Sequence, residues 1–199
     1  MAIQRVRNIA PFINIVFTIS SEWWTVRTNP VTGEIEIHRG LDIFTNPAAP
    51  VCSMLNGVVN DVGNNSTAGN YIIIADNNPT SPTYGYATRY LHLASLPSYS
   101  VGDTVVIGEQ VGMEGDTGEA VGIHLHVEMQ DISRFNWSWH ASQTKSDYLD
   151  PTVFMGIDNV RLTQWIYDGS PQPVEVYKRK KFPWVLYAKK LRKFRILTK

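Results

Sequence analysis

The stretch IEIHRGLDIF, residues 35–44, sets His38 and Asp42 four positions apart in a run that otherwise alternates as a strand does. Imidazole and carboxylate are common ligands of a divalent metal, yet an isolated H-x-x-x-D reads more readily as a solvated polar face with an incidental histidine. A second stretch, GIHLHVEM at 122–129, breaks the tie. Side chains two apart on a strand point the same way, so His124, His126 and Glu128 share one face and Leu125, Val127 and Met129 the other. One buried histidine is commonly structural; two on one face of an apolar strand favour a site. A hydrolytic zinc centre takes three nitrogen or oxygen ligands and keeps a position for water, whereas a structural one is closed by four, often cysteines. His38, Asp42 and one histidine of the 124/126 pair make three, and the residues alone leave open which. The other histidine, with His92 in RYLHL, is then free to move protons and stabilise an oxyanion. A metal so held would act as a Lewis acid and as the source of a hydroxide near neutral pH.

The elements that must position these groups read as strands. EIEIH, VCSMLNGVVNDV, NYIIIAD, TRYLHL, DTVVIGEQVG and GIHLHVEMQ are short, rich in β-branched residues and separated by Gly, Asn, Asp and Pro. No helical pattern competes with them. Glycines after each short apolar run in SVGDTVVIGEQVG suit tight turns, and DNNPTSPTYGY reads as a surface hairpin or loop. With 199 residues, 43% of them hydrophobic, the chain can build one well-cored domain and an appendage. A single cysteine, Cys52, excludes an internal disulfide and reads as a small packed hydrophobe.

The charge is unevenly placed. Lys178 to Lys199 hold ten basic residues and no acidic one, which leaves 8 basic against 18 acidic in residues 1–177. An acidic body thus carries a basic tail, with a boundary near YDGSPQP at 167–173. The expected division is a catalytic domain over 1–157, a connecting segment over 158–177 and the tail over 178–199. Two basic clusters flanking the apolar FPWVLYA suit docking on an acidic partner, and Pro183 argues against one continuous helix there. Arg5 and Arg7 precede an apolar-leaning run, but Asn8, Pro11 and Asn14 interrupt it, so the expectation is no recognisable signal peptide. No run reaches the length of a transmembrane helix.

Three motifs in order, HRGLD, YLHL and HLH, resemble those of the lysostaphin- and LytM-type zinc metallopeptidases. RTNPVTGEIEIHRGLDI, VGDTVVIGEQVGMEGDTG and YLDP extend the similarity over roughly residues 18–155. The resemblance implies that His38, Asp42 and His126 bind one zinc ion per chain, with His92 and His124 as the unligated catalytic histidines. It implies an all-β fold, a largely antiparallel sandwich of barrel-sandwich type, with the site in a groove open at both ends. It also implies a peptidoglycan endopeptidase acting on stem peptides or cross-bridges. The expected setting is a bacteriophage lysin or a virion tail-associated protein acting at the host wall. Tail or baseplate proteins are then candidate partners of the basic tail, and no specific nucleic acid is expected. The alternative is a catalytically silent relative that binds wall or serves as a structural tail component; its usual mark is loss of ligands, and none is lost here. A carrier domain would need a lysine at a hairpin tip, and residues 101–118 contain none.

Several positions stand apart from the motifs. Relatives often have a histidine near the strand ending at Asp76 and some have a tyrosine shortly before the first ligand, where this chain has Thr32 and Gly33. Oxyanion stabilisation is then expected to lean on His92 and His124. His140 reads as a surface-loop residue, and Trp23, Trp24, Trp137 and Trp139 as core or as groove walls. Glu128 is expected to orient a ligand rather than to bind metal.

Overall fold

A computed structural model describes residues 3–132 and 144–169. His140, Trp137, Trp139 and the basic tail lie outside the described residues. In chain order the strands are β1 (Gln4–Arg5), β2 (Val16–Ser21), β3 (Thr25–Thr28), β4 (Ile35–His38), β5 (Leu41–Thr45), β6 (Pro50–Cys52) and β7 (Gly57–Asn65). They continue as β8 (Gly69–Ala75), β9 (Tyr86–Leu93), β10 (Thr104–Val105), β11 (Gln110–Met113), β12 (Leu125–Asp131), β13 (Tyr148–Leu149) and β14 (Gln164–Ile166). The expected all-β class holds: the described α-helix is the five-residue α1 (Pro151–Met155).

One sheet runs β1-β14-β2-β5-β12-β9-β8-β7-β10, with β13 also paired to β12. All its pairings are antiparallel except β1 with β14. Two ribbons, β3–β4 and β6–β11, complete the fold. One face of the sheet carries Phe17, Ile19, Leu41, Ile43, Ile72, Ile74, Tyr90, Leu125, Val127 and Met129, all buried in a single core that also takes Val51 and Val111 from the β6–β11 ribbon. Burying a side chain of this kind is worth about 1.5–3 kcal/mol, so this face holds the sheet while the other face is free for chemistry. Cys52 is buried and unpaired, as its packing role requires.

The chain elements outside the motifs have local reasons. Asp76 directly follows β8 and is fully buried; its carboxylate accepts from the Thr83 hydroxyl at 2.6 Å and from the Asn78 amide at 3.0 Å, closing the 76–85 loop. In YLDP, Asp150 caps α1 by accepting from the Thr152 amide at 2.9 Å, Pro151 opens the helix and Gly156 ends it at φ 69°. Beyond α1, β14 pairs with β2 and Trp165 is 1% exposed. Within the segment read as a connector, residues 164–166 thus pair into the sheet, because an apolar QWIY run between turn residues has a strand edge to cover.

Candidate metal centre and groove

Asp42 and His126 stand opposite each other on adjacent strands β5 and β12, and His38 ends β4 one tight link earlier. Their donor atoms converge. Asp42 Oδ1 lies 3.0 Å from His38 Nε2 and 2.7 Å from His126 Nδ1, and the two nitrogens are 3.0 Å apart. His38 Nδ1 donates to the Glu22 carbonyl at 2.8 Å, which leaves Nε2 with its lone pair facing the centre. His126 Nε2 lies 3.4 Å from Glu128 Oε1, and Glu128 is itself held by Arg89 Nη1 at 2.7 Å. With that proton on Nε2, two imidazole lone pairs and a carboxylate oxygen meet with no donor among them, so a cation belongs between them. The two-nitrogen, one-oxygen set suits zinc, and the separations are a few tenths short of the roughly 3.3 Å that bonds of about 2.0–2.1 Å would give tetrahedrally. The three residues can hold a metal ion.

The electrostatics agree. Burial opposes ionisation of Asp42, yet the His126 and His38 rings, when a proton occupies the centre, hold its carboxyl well below its ordinary value. Burial likewise disfavours a charged His126, but Asp42 and Glu128 raise it to about 9. Glu128, despite its burial, is lowered to about 2 by His126 and Arg89. Positive charge is favoured at this point in the fold whether a proton or a metal supplies it.

His92 and His124 flank the centre. His92 Nδ1 donates to the Thr117 carbonyl at 2.8 Å and His124 Nδ1 to the Gly122 carbonyl at 2.9 Å, so each presents an unprotonated Nε2. His124 Nε2 is 3.8 Å from Asp42 Oδ1, and the His92 ring lies 5.0 Å from that of His124 and 5.8 Å from that of His126. Burial, with His126 and His124 nearby, lowers His92 to about 4, which keeps it neutral near pH 7. His92 reaches this face through a bulge: Leu91 and His92 together oppose Tyr71, and His92 takes φ 62°, a left-handed conformation that histidine enters more readily than most residues.

All five expected site residues are thus brought together, and Glu128 sits behind His126. Thr32 lies exposed in the β3–β4 turn, where its amide donates to Asn29 Oδ1 at 3.0 Å. The Trp23–Trp24 pair is less direct than a groove wall: Trp23 packs on the core and Trp24 stands 5.5 Å behind the ring of Tyr148. Tyr148, Arg27, Arg89 and Gly40 are parts of the site that the motifs did not flag. Arg27 Nη1 donates to Asp42 Oδ2 at 2.8 Å and its Nε to Glu36 at 2.8 Å. A signal for that pair existed, because the β3–β4 register sets Arg27 opposite Glu36. Gly40 lets the His126 ring lie against the backbone: a Cβ there would stand 2.5 Å from its Cε1 and 2.8 Å from the Val127 carbonyl oxygen.

The groove leaves the centre in two directions. One arm is polar, lined by Arg39, Arg89, Tyr148, Thr67, Glu119 and Glu128. The other has Phe44, Val121, Ile123 and Pro30 beside His124 and Asp42. Arg27, His92 and Glu119 border both.

A family model described as peptidase family M23 matches residues 36–143, more than half of the chain. The chain belongs to peptidase family M23. Among similar M23 proteins, the peptidoglycan DD-endopeptidase ShyA of Vibrio cholerae is 37% identical over 111 residues, 56% of this chain and 24% of that protein. Lysostaphin of Staphylococcus simulans is 31% identical over 93 residues, 46% of this chain and 18% of that protein. The chain thus spans a quarter or less of these two relatives. Among solved structures, a zinc-containing peptidase from Vibrio cholerae aligns with TM-score 0.55 and 30% identity, covering 74% of this chain and 39% of that one. The catalytic domain of the antimicrobial peptidase lysostaphin from Staphylococcus simulans aligns with TM-score 0.52 and 25% identity, covering 72% and 93%.

Proposed function

We propose that this M23 chain is a zinc-dependent endopeptidase that cuts stem peptides or cross-links of bacterial peptidoglycan. The observation that carries the reading is the convergence of His38 Nε2, Asp42 Oδ1 and His126 Nδ1 at one point, with the free Nε2 atoms of His92 and His124 beside it. His38, Asp42 and His126 would hold the metal, which supplies Lewis acidity for the scissile carbonyl and lowers the pKa of the attacking water. Asp42 is anchored through its second oxygen by Arg27, and His126 through Glu128 and Arg89, so the donors are aimed before substrate arrives. His92 and His124, each with Nδ1 tied to a backbone carbonyl and Nε2 turned to the centre, take the proton of the attacking water and return it to the leaving amine. Once protonated, the same rings face the developing oxyanion. No residue of this set has been lost, which favours an active enzyme over a silent wall-binding relative.

The proposed setting is a phage lysin or a wall-degrading part of a virion tail, acting at the host wall. The support is the charge division, an acidic body with ten basic residues in the last 22, which suits attachment of residues 178–199 to an acidic neighbour such as a tail or baseplate protein. The metal half of the reading is tested by elemental analysis of the purified protein with a chelator titration. About one zinc per chain, with peptidase activity lost on chelation and restored by zinc, is the expected result. Full activity after exhaustive chelation would refute it.

A further inference from the structure

Three arginines line the polar arm of the groove, and two of them are committed. Arg27 is bound to Glu36 and Asp42, and Arg89 to Glu128 at 2.7 Å with both partners buried. Arg39 differs. It follows His38 directly, is half-buried in the same wall, and has no ion-pair or hydrogen-bond partner among the described residues. Arg39 and Tyr148 line the same arm of the groove, and the arginine's charge is felt at the phenol. The nearby carboxylates are engaged elsewhere: Glu36 with Arg27 and Asn29, Glu128 with Arg89 and His126, Glu119 with the Thr67 hydroxyl at 3.1 Å. A guanidinium kept free beside a reaction centre, with five donors in a fixed fork, is suited to a carboxylate.

We propose that Arg39 is a specificity-determining residue that binds a free carboxylate of the substrate in the polar arm of the groove. The inference rests on the peptidoglycan reading and deepens it: the substrate is a carboxylate-bearing stem peptide rather than an uncharged glycine bridge. Two sources offer that chemistry, the side-chain carboxylate of a diamino acid and the terminal carboxylate of a D-alanine. The other arm, with Phe44, Val121 and Ile123, holds Arg161 and shares Arg27, but Arg161 is exposed whereas Arg39 is half-buried beside the proposed metal ligand His38.

The test uses the full chain loaded with zinc and four soluble cross-linked muropeptides, in which the diamino-acid carboxylate and the terminal carboxylate are each free or amidated. The wild type should cleave one free form with kcat/KM roughly 10–100-fold above its amidated partner, the range expected of a hydrogen bond between charged groups. The arm in which amidation matters names the source. Arg39→Gln should bring that ratio close to one, mainly through KM, while zinc stays at one per chain; Arg39→Lys should keep part of the preference, because it retains charge without the fork. Equal cleavage of free and amidated forms by the wild type overturns the inference and leaves the endopeptidase reading standing. That comparison needs no variant, so it decides even if Arg39→Gln fails to fold. An equal loss on all four substrates in Arg39→Gln, with zinc intact, also overturns the inference. Cleavage of none of the four by the wild type overturns both.

Discussion

Replacing Gly40 by alanine should disable the centre without touching a ligand. The added Cβ would lie 2.5 Å from His126 Cε1, closer still to Nε2, and 2.8 Å from the Val127 carbonyl oxygen. Carbon atoms rest at about 3.5–4.0 Å, so the ring must retreat by about 1 Å. The carbonyl belongs to β12, which pairs on both sides at this point and cannot give way. Ligand distances tolerate only about ±0.2 Å, so a shift of this size should lower zinc affinity by at least the 10–100-fold typical of lost ligand support. Overpacking should also destabilise the fold by about 1–3 kcal/mol. Gly40 does not occupy the left-handed region, so alanine adds contact rather than backbone strain. Zinc affinity by competition with a chromogenic chelator, alongside urea denaturation of the same samples, measures both effects. A Gly40→Ala protein with wild-type zinc affinity and full turnover would refute the reasoning.

Asp42→Ala and His126→Ala should lose zinc and activity together, whereas His92→Asn and His124→Ala should keep zinc and lose about 10²–10⁴-fold in turnover; elemental analysis beside kinetics separates the two groups. Asparagine is chosen at position 92 because it tolerates the φ of 62° that the bulge demands. Glu114→Ala should destabilise the protein by about 3 kcal/mol in denaturant titration, because the buried carboxylate accepts from the Thr45 amide, the Thr45 hydroxyl and the Ala49 amide at 3.0, 2.5 and 3.2 Å. Burial, with His126 and His124, depresses His92 to about 4, so between about 6.5 and 4 the unfolded chain binds a proton that the folded one refuses. Stability from this group is complete above about pH 6.5 and is lost as pH falls through that window, and denaturation of zinc-free protein at pH 7 and 5 should show a smaller pH difference in His92→Asn than in wild type.

The strand period made much of the site legible. Alternation alone puts His124, His126 and Glu128 on one face of β12, and the core on the other face follows from Leu125, Val127 and Met129. His92 shows where alternation stops. Counted from Tyr90, which is fully buried in the core, His92 should point inward, and only the bulge opposite Tyr71 turns it to the groove. A bulge is set by long-range pairing between β8 and β9, so its position is not written in YLHL. Arg27 was hidden for a related reason: its partner Asp42 lies in another sheet, although the facing Glu36 could have been read from the hairpin. Trp165 was hidden because a short QWI run after a helix has no periodic signal, and its burial depends on β2 offering an edge. Nothing in HRGLD marks Gly40 as necessary, because its necessity comes from a ring 86 positions later in the chain.

The most direct test of the central claim is mass spectrometry of the fragments released from purified peptidoglycan by the zinc-loaded protein. The account predicts fragments cut at one type of peptide bond, each cut adding one water and leaving a new amine and a new carboxylate, with the glycan strands intact and no release by Asp42→Ala. Fragments cut within the glycan, or no fragments from peptidoglycans of any cross-link type, would contradict it.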